Sequence, residues 1–498
     1  MGTKKIMVGI FWAVSNSLGR QSVLEFSKWF MPSEANSAGF INYPYSHFEV
    51  WDDEVKGLGD DCYKFPRGRV IYDINRNKYM IYADECVKNE VIDELIQLYE
   101  IENYELLRDE HYVCPRCEHK PFELKYNILR GQDKIGENLI EISYGRTIIL
   151  VELGKSLDGN DEKFEKDILQ KQYSAVVVSH YHEDHAGLIN HKRDCPAYIG
   201  GGAYRIIKAM ADFHGEELSE NIKTYRNGRS FKIGGIKITP FLCDHSAYDS
   251  YMLLFEAGGQ SILYTGDFRF HGRKDSHKLL SELPESVDVL IHEGTNIVKN
   301  SCTMTEAELE NKAVEIMKST DGPVFVLQSG TNIDRLVSIY RASKRSGRIT
   351  YMDNYTSHIA QAAGGSVPRP DVFADVIAFT PRAVHGKRRD MFLAIINKRG
   401  LKGIANGTKR FTMLVRPSMA EYLKKLVSTA HIDGATLIYS MWKGYKDNED
   451  TAAFLNEMKA LRVNIVDLHT SGHASAEDIE LLKRTINAKQ TICVHTEN

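Results

Sequence analysis

The sequence predicts an α/β protein of about three domains, and three observations lead to that prediction. Apolar β-type runs alternate with helical patterns from about residue 126 to the end of the 498-residue chain, as they do where helices cross between strands. Composition is that of a globular protein, with 43% hydrophobic, 26% charged and 10% aromatic residues. Such a mixture excludes a wholly disordered chain, a collagen-like repeat and a disulfide-dense miniprotein. The first 120 or so residues differ in texture and read as a small α/β unit of their own.

That unit opens with residues 6–14, which suit a strand. Lys4 and Lys5 ahead of them look like the start of a secretory signal, but the apolar run is short, contains Gly9 and Trp12, and meets no small-x-small site. Ile6 stands where a Gly2 myristoyl signal needs Ser or Thr. Runs 68–74 and 78–83 flank Asn75-Arg76-Asn77, a hairpin signal, and residues 87–99 place apolar side chains at helical spacing. Cys114 and Cys117 form a Cys-x-x-Cys pair, which is half of a tetrahedral zinc site. Cys62, Cys86, His111 and His119 are the candidates for the other half; none has diagnostic spacing, so free buried thiols are the simpler expectation.

From residue 126 onward, strands are expected at 139–143 and 147–153 around a Tyr-Gly-Arg turn, then at 174–179, 236–239, 252–256, 261–265 and 287–291. Further strands are expected at 324–327, 348–352, 413–415, 436–439 and 464–468, with helices at 306–318 and 334–346 among them. No apolar run approaches the roughly 18 residues that span a bilayer, so no membrane helix is expected. The eight scattered cysteines form no disulfide framework, and a reducing, cytoplasmic setting is the expectation. Net charge is −4, yet residues 331–416 hold 16 Lys or Arg against 5 Asp or Glu. A segment so biased is suited to a polyanion, with a solvated face as the plainer reading.

The chemistry is concentrated in Ser179-His180-Tyr181-His182-Glu183-Asp184-His185, directly after an apolar β run. Four potential ligands within six residues are hard to explain as packing, because buried imidazoles and carboxylates need partners. A divalent cation supplies one, and imidazole with carboxylate suits zinc, manganese or iron. His180 and His182 alternate and can point one way from an extended loop, while Asp184 and His185 turn toward a second position, so two adjacent metals are a natural result. More ligands are expected at later strand ends: His245 in Cys243-Asp-His-Ser, and Asp267 in Thr265-Gly-Asp-Phe.

His-x-His-x-Asp-His, a later lone His and an Asp in a Gly-Asp turn resemble the signature of the metallo-β-lactamase superfamily. The resemblance begins near Tyr126 and runs through the remaining three quarters of the chain, with Glu152 where that family usually has Asp. Three later segments resemble the motifs of its β-CASP nucleases: His292-Glu293-Gly-Thr, Thr470-Ser471-Gly472-His473-Ala474, and Val494-His495-Thr-Glu. A histidine at the last of these is typical of members acting on RNA, such as ribonuclease J-like and cleavage-factor-like enzymes.

The resemblance implies a metallo-β-lactamase αββα sandwich with an inserted β-CASP α/β cap. Residues 1–120 then form the N-terminal unit of unknown role, 121–303 the first part of the core, 304–455 the cap and 456–498 the return to the core. It implies two divalent metal ions, zinc or manganese. One is held by His180, His182 and His245, the other by Asp184, His185 and His495, with Asp267 bridging. Asp184, His473 and Glu293 are the implied catalytic set, Glu293 orienting a neighbouring ligand histidine. Nucleic-acid contacts are expected at Arg335, Ser471, Arg382, Lys387, Arg388 and Arg389. The expected activity is two-metal hydrolysis of phosphodiesters in single-stranded RNA, at internal bonds or from a 5′ end, with no membrane partner and room for a homodimer. A DNA nuclease of the same branch and a hydrolase of small esters or thioesters are the alternatives. His495 speaks against the first, and the basic cap with its two histidine motifs against the second. A non-catalytic RNA-binding protein would not need the complete ligand set.

Overall fold

The computed structural model describes residues 122–496 except 146, 157–167, 169–170, 192, 298–302, 382–384, 396–409 and 430–431. Before residue 122 it describes 11–15, 22–26, 46–50, 66–73, 78–84, 89–98 and 102–109. Cys62, Cys86, His111, Cys114, Cys117 and His119 lie outside the described residues.

Six strands of the N-terminal part form one sheet in chain order: β1 (Phe11–Ser15), β2 (Ser22–Phe26), β3 (Ser46–Val50), β4 (Pro66–Asp73), β5 (Lys78–Asp84) and β6 (Tyr104–Asp109). β4 and β5 make the expected antiparallel hairpin, Asp73 opposite Lys78. β5 and β6 run parallel, and helix Asn89–Leu98 supplies the crossover that a parallel pair requires.

A second sheet holds β7 (Lys125–Arg130), β8 (Leu139–Tyr144), β9 (Thr147–Val151), β10 (Ala175–Val177), β11 (Ala197–Gly200) and β12 (Ile222–Tyr225), in the order β12-β11-β10-β9-β8-β7. A third holds β13 (Phe231–Ile233), β14 (Ile236–Cys243), β15 (Ser250–Ala257), β16 (Gln260–Tyr264) and β17 (Ser286–Glu293). Alternate side chains of these strands meet between the two sheets, where Ile140, Ile142 and Val177 pack with Ile238, Leu253, Ile262 and Ile291. Each such buried aliphatic side chain contributes about 1.5–3 kcal/mol. Helices cover both outer faces. Ala203 and Ile206 of helix Gly201–His214 pack on Val176 and Ile199, while Leu279 and Leu482 pack on Leu254 and Leu263. The result is a helix-sheet-sheet-helix sandwich.

Between β17 and the last strand the chain builds a fourth sheet, entirely parallel: β18 (Val324–Leu327), β19 (Ile349–Asp353), β20 (Val376–Phe379), β21 (Phe411–Val415), β22 (Thr436–Tyr439) and β23 (Asn464–Asp467). Its order is β20-β19-β21-β18-β22-β23. Helices on both faces leave β18 buried along its length, which is why it reads as an unbroken apolar run. β24 (Asn487–Val494) then returns to the third sheet, parallel to β17.

The return comes later than expected. The boundary drawn at 455 falls inside helix Glu449–Ala460, whose Phe454, Leu455 and Met458 pack with Leu437 and Tyr439 of β22. The inserted unit therefore continues through β23.

Candidate metal centre

The potential ligands all emerge from one edge of the sandwich. β14, β16, β17 and β24 run in the same direction in one sheet, and β10 ends beside them in the other. Their carboxyl ends release His245, Asp267, Glu293 and His495, while the loop after β10 carries His180, His182, Asp184 and His185. Gly266, at φ 53°, makes the turn before Asp267; a Cβ there would lie 2.7 Å from Ser179 Oγ, which sits 2.9 Å from His180 Nδ1.

Two groups of four ligand atoms converge, each within 4.8 Å of one another. The first unites His180, His182, His245 and Asp267; the second unites Asp184, His185, His495 and Asp267. A third grouping around Asp267 adds Glu293 and His473. His245 Nδ1–H donates to the Gly472 carbonyl at 2.5 Å, which leaves Nε2 as a lone pair 3.1 Å from His182 Nδ1. His495 Nε2 lies 3.1 Å from Asp184 Oδ2, and its backbone N–H donates to Gly131. His185 stands between Asp267 Oδ2 and Glu152 Oε1, 3.3 Å from each.

A metal fits these residues. Among the described residues, His180 Nε2, His185 Nδ1 and both Asp267 carboxylate oxygens are buried without a hydrogen-bond partner. Leaving such groups buried and unpaired is costly, and cations bound by neutral imidazoles and carboxylates remove the cost. Protonation states agree with that role. Burial holds His180 and His245 well below the ordinary imidazole range and His182 down at about 4, so all three are neutral near pH 7. Burial opposes ionisation of Asp267, but His185, His495 and His473 outweigh it and keep the carboxyl well below its usual value. The carboxyl of Asp184 is likewise lowered, burial being outweighed chiefly by His185 and His495.

His473 is held beside the shared carboxylate. Its Nδ1–H donates to Glu293 Oε2 at 3.0 Å and lies 3.5 Å from Asp267 Oδ2. Burial lowers its pKa, but Glu293 and Asp267 prevail and push it up to about 9. Glu293 Oε1 in turn accepts the backbone N–H of Phe268 and, more distantly, of Ala474. Glu293 thus tethers His473 rather than one of the seven expected ligands.

Three further residues position the ligand histidines, and of these Glu152 is already marked in the sequence as a departure from the resembled family. Glu152 accepts the Ser179 N–H and faces His185; it and His495 sit at positive φ, 66° and 54°, a strain of about 1–3 kcal/mol each that the surroundings sustain. Asn138 Nδ2 lies 3.1 Å from His185 Nε2. Thr295 Oγ1 lies 2.8 Å from His495 Nδ1 and 3.3 Å from His473 Nδ1. Thr295 closes the His292-Glu293-Gly-Thr motif.

The expected nucleic-acid contacts fare differently. Arg335 is fully buried, its guanidinium engaged with Glu306, Ser440 and the Thr470 carbonyl, so it offers nothing to a nucleic acid. Arg348 is another buried strut, bonded to the carbonyls of Met317, Gly322 and Phe411. Part of the basic excess of residues 331–416 is therefore internal. Ser471 is half-buried, its hydroxyl accepting from Asn296 and the His473 N–H. Lys387 and Arg389 are exposed on helix Gly386–Ile395, Lys387 pairing with Asp212. Arg382 and the side chain of Arg388 lie outside the described residues.

Comparison with known proteins agrees with this architecture. A family model described as a beta-lactamase superfamily domain matches residues 160–328. Ribonuclease J of Pyrococcus abyssi is 25% identical over 438 residues, covering 75% of this chain and 90% of that protein. Ribonuclease J 1 of Streptococcus pyogenes is 22% identical over 406 residues, 76% of this chain and 69% of that one. A crystal structure of an Enterococcus faecalis protein of unknown function aligns with a TM-score of 0.59 at 19% identity, covering 75% of this chain and 94% of the other. At that identity the likeness concerns the fold alone.

Proposed function

This chain carries a metallo-β-lactamase-superfamily domain and is ribonuclease J-like over three quarters of its length, and from that premise we propose that it is a metal-dependent phosphodiesterase acting on RNA. The observation that supports this most directly is the pair of four-ligand groups sharing Asp267, whose buried carboxylate oxygens lack hydrogen-bond partners among the described residues. In this reading His180, His182 and His245 would hold one cation and Asp184, His185 and His495 a second, with Asp267 available to both. Imidazole-rich donors suit zinc first, and the carboxylates among them also admit manganese. Divalent cations so held supply positive charge to a phosphoryl group and lower the pKa of water.

The chain's own residues do the rest. His473, tethered by Glu293 and protonated near neutral pH, is placed to donate a hydrogen bond to a phosphate oxygen and a proton to a leaving oxygen. Glu152, Asn138 and Gly472 fix the orientation of His185 and His245. The parallel sheet β18–β23 and its helices are the β-CASP-like cap of this proposal, and the wall it makes with the sandwich is the path of the strand.

Purified protein, loaded with zinc or with manganese, is incubated with end-labelled single-stranded RNA and matched DNA. Metal-dependent cutting that favours RNA is expected, and the labelled ends distinguish internal from 5′-terminal cleavage. Equal cutting of DNA points to the DNA-processing alternative. Hydrolysis of small thioesters with neither nucleic acid cut overturns the proposal.

A further inference from the structure

Trp442 and Tyr445 stand out on the surface of the inserted unit. They are 55% and 45% exposed, in the turn that follows β22, with ring centroids 5.4 Å apart at nearly a right angle. Large exposed aromatics are costly to present to water, and a rigid pair of them is a feature of binding surfaces. The turn is rigid: the Trp442 carbonyl accepts from both the Tyr439 hydroxyl and the Tyr445 N–H. The indole lies against Gly444, where a Cβ would come within 2.1 Å of the ring. Lys443 is exposed between them.

The position of this turn within the fold supplies a second argument. β18 and β22 are neighbours. The helix after β18, Ile333–Arg345, packs on one face of the sheet, and the helix after β22, Glu449–Ala460, on the other. Where the helices that follow adjacent strands diverge in this way, the carboxyl ends of the strands leave a crevice, and open α/β sheets bind their ligands there. Gln328, the residue that follows β18 at the same edge, is buried with neither amide atom hydrogen-bonded among the described residues. An unpaired amide at that edge suits a crevice built for a polar occupant.

The crevice adjoins the metal centre. The Thr331 carbonyl accepts from Tyr181, which lies between ligands His180 and His182, and Asn332 bridges to Ala247, two residues from His245. Burial raises the phenol pKa of Tyr445, and the carboxylates of Asp184 and Glu183 add to it.

We propose that Trp442 and Tyr445 form a stacking platform for a nucleobase of the substrate strand, seated at the β18–β22 crevice beside the scissile phosphate. Every base has a π-face, so the platform grips the strand without reading its sequence. The inference rests on the RNA reading above and adds to it a defined contact to a base.

The test measures binding of a labelled, phosphorothioate-linked oligoribonucleotide to the full chain by fluorescence anisotropy. Trp442→Ala and Tyr445→Ala each weaken binding by about 5- to 100-fold, the range for loss of one base–aromatic stack. Trp442→Phe retains most of the affinity, and Gly444→Ala, which displaces the indole, acts in the same direction as Trp442→Ala. Removing a single base from the oligonucleotide at the contacted position weakens wild type but leaves Trp442→Ala unaffected, because the two losses are one interaction. Far-UV circular dichroism checks that each variant is folded, and Trp442→Phe carries the test if the alanine variant is not. If wild type binds and cuts RNA while Trp442→Ala binds equally well, or loses as much as wild type on the abasic strand, the platform is wrong and the nuclease reading stands. If wild type neither binds nor cuts RNA, the nuclease reading falls and takes the platform with it.

Discussion

Glu306 is the keystone of a buried charge network between the sandwich and the inserted unit, and replacing it by Gln tests that role. Its carboxylate faces two fully buried guanidinium groups: Arg269 Nη1 at 3.3 Å and Arg335 Nη2 at 3.1 Å. Ser338 Oγ donates a third bond at 2.6 Å. Arg269 also binds Asp244, Asp334 and the Ser471 carbonyl, so the network ends one residue from the Gly472 that orients His245. Removing one partner of a buried ion pair costs about 3–5 kcal/mol, since the other charge is left uncompensated. Burial raises the carboxyl pKa of Glu306, but Arg335 and Arg269 outweigh burial and bring it from 4.5 to about 2. That displacement corresponds to roughly 3 kcal/mol, in accord with the cost of breaking the pair. A carboxyl lowered in the folded state stabilises it fully above the unfolded value and loses that contribution as pH falls toward 2. Wild type should therefore exceed Glu306→Gln by about 3–5 kcal/mol at pH 6, and the gap should shrink by roughly 2 kcal/mol by pH 3. Urea unfolding followed by circular dichroism measures the gap, and hydrogen exchange in helix Ile333–Arg345 localises it. A gap below about 1 kcal/mol at pH 6, or one that is the same at pH 3, refutes the reasoning.

Three further outcomes are expected. Asp267→Ala, which removes the carboxylate common to both ligand groups, should lower bound metal to one equivalent or fewer and reduce cleavage by several orders of magnitude, as measured by elemental analysis and RNA turnover; near-normal turnover by metal-free protein would sink the assignment. Chelation should lower the thermal midpoint, because a cation present at 100 times its Kd stabilises the fold by about 2.7 kcal/mol per site, and an unchanged midpoint would mean that no cation was bound. Lys387→Glu combined with Arg389→Glu should weaken RNA binding and reduce the slope of log K against log salt by about two, a change absent if helix Gly386–Ile395 makes no phosphate contact.

Much of the site is legible in the sequence because its chemistry is local. His180, His182, Asp184 and His185 fall within six residues, and no packing argument explains so many ligand types after a buried strand. The strands of the inserted sheet were legible as short apolar runs: 324–327 and 436–439 coincide with β18 and β22 because parallel strands are buried on both faces. Polar segments were not: β12 reads Ile-Lys-Thr-Tyr, and of β24 only the apolar end, 491–494, stands out as a β run because its first half is polar.

By itself the sequence determined which donor types converge and in what order, because residue identity sets affinity for a cation. Only the tertiary structure decided what each charge faces. Arg335, counted among basic residues awaiting a polyanion, is sealed against Glu306, and Glu293 meets His473 across 180 positions of chain. Gly472 selects the His245 tautomer from 227 positions away, and the parallel sheet extends through β23 because helix Glu449–Ala460 packs on β22. A sequence records the sign of a charge but not its partner or its distance from water. Those depend on which strand ends the folded sheets bring to one edge, and that edge is assembled only when strands remote in sequence pair.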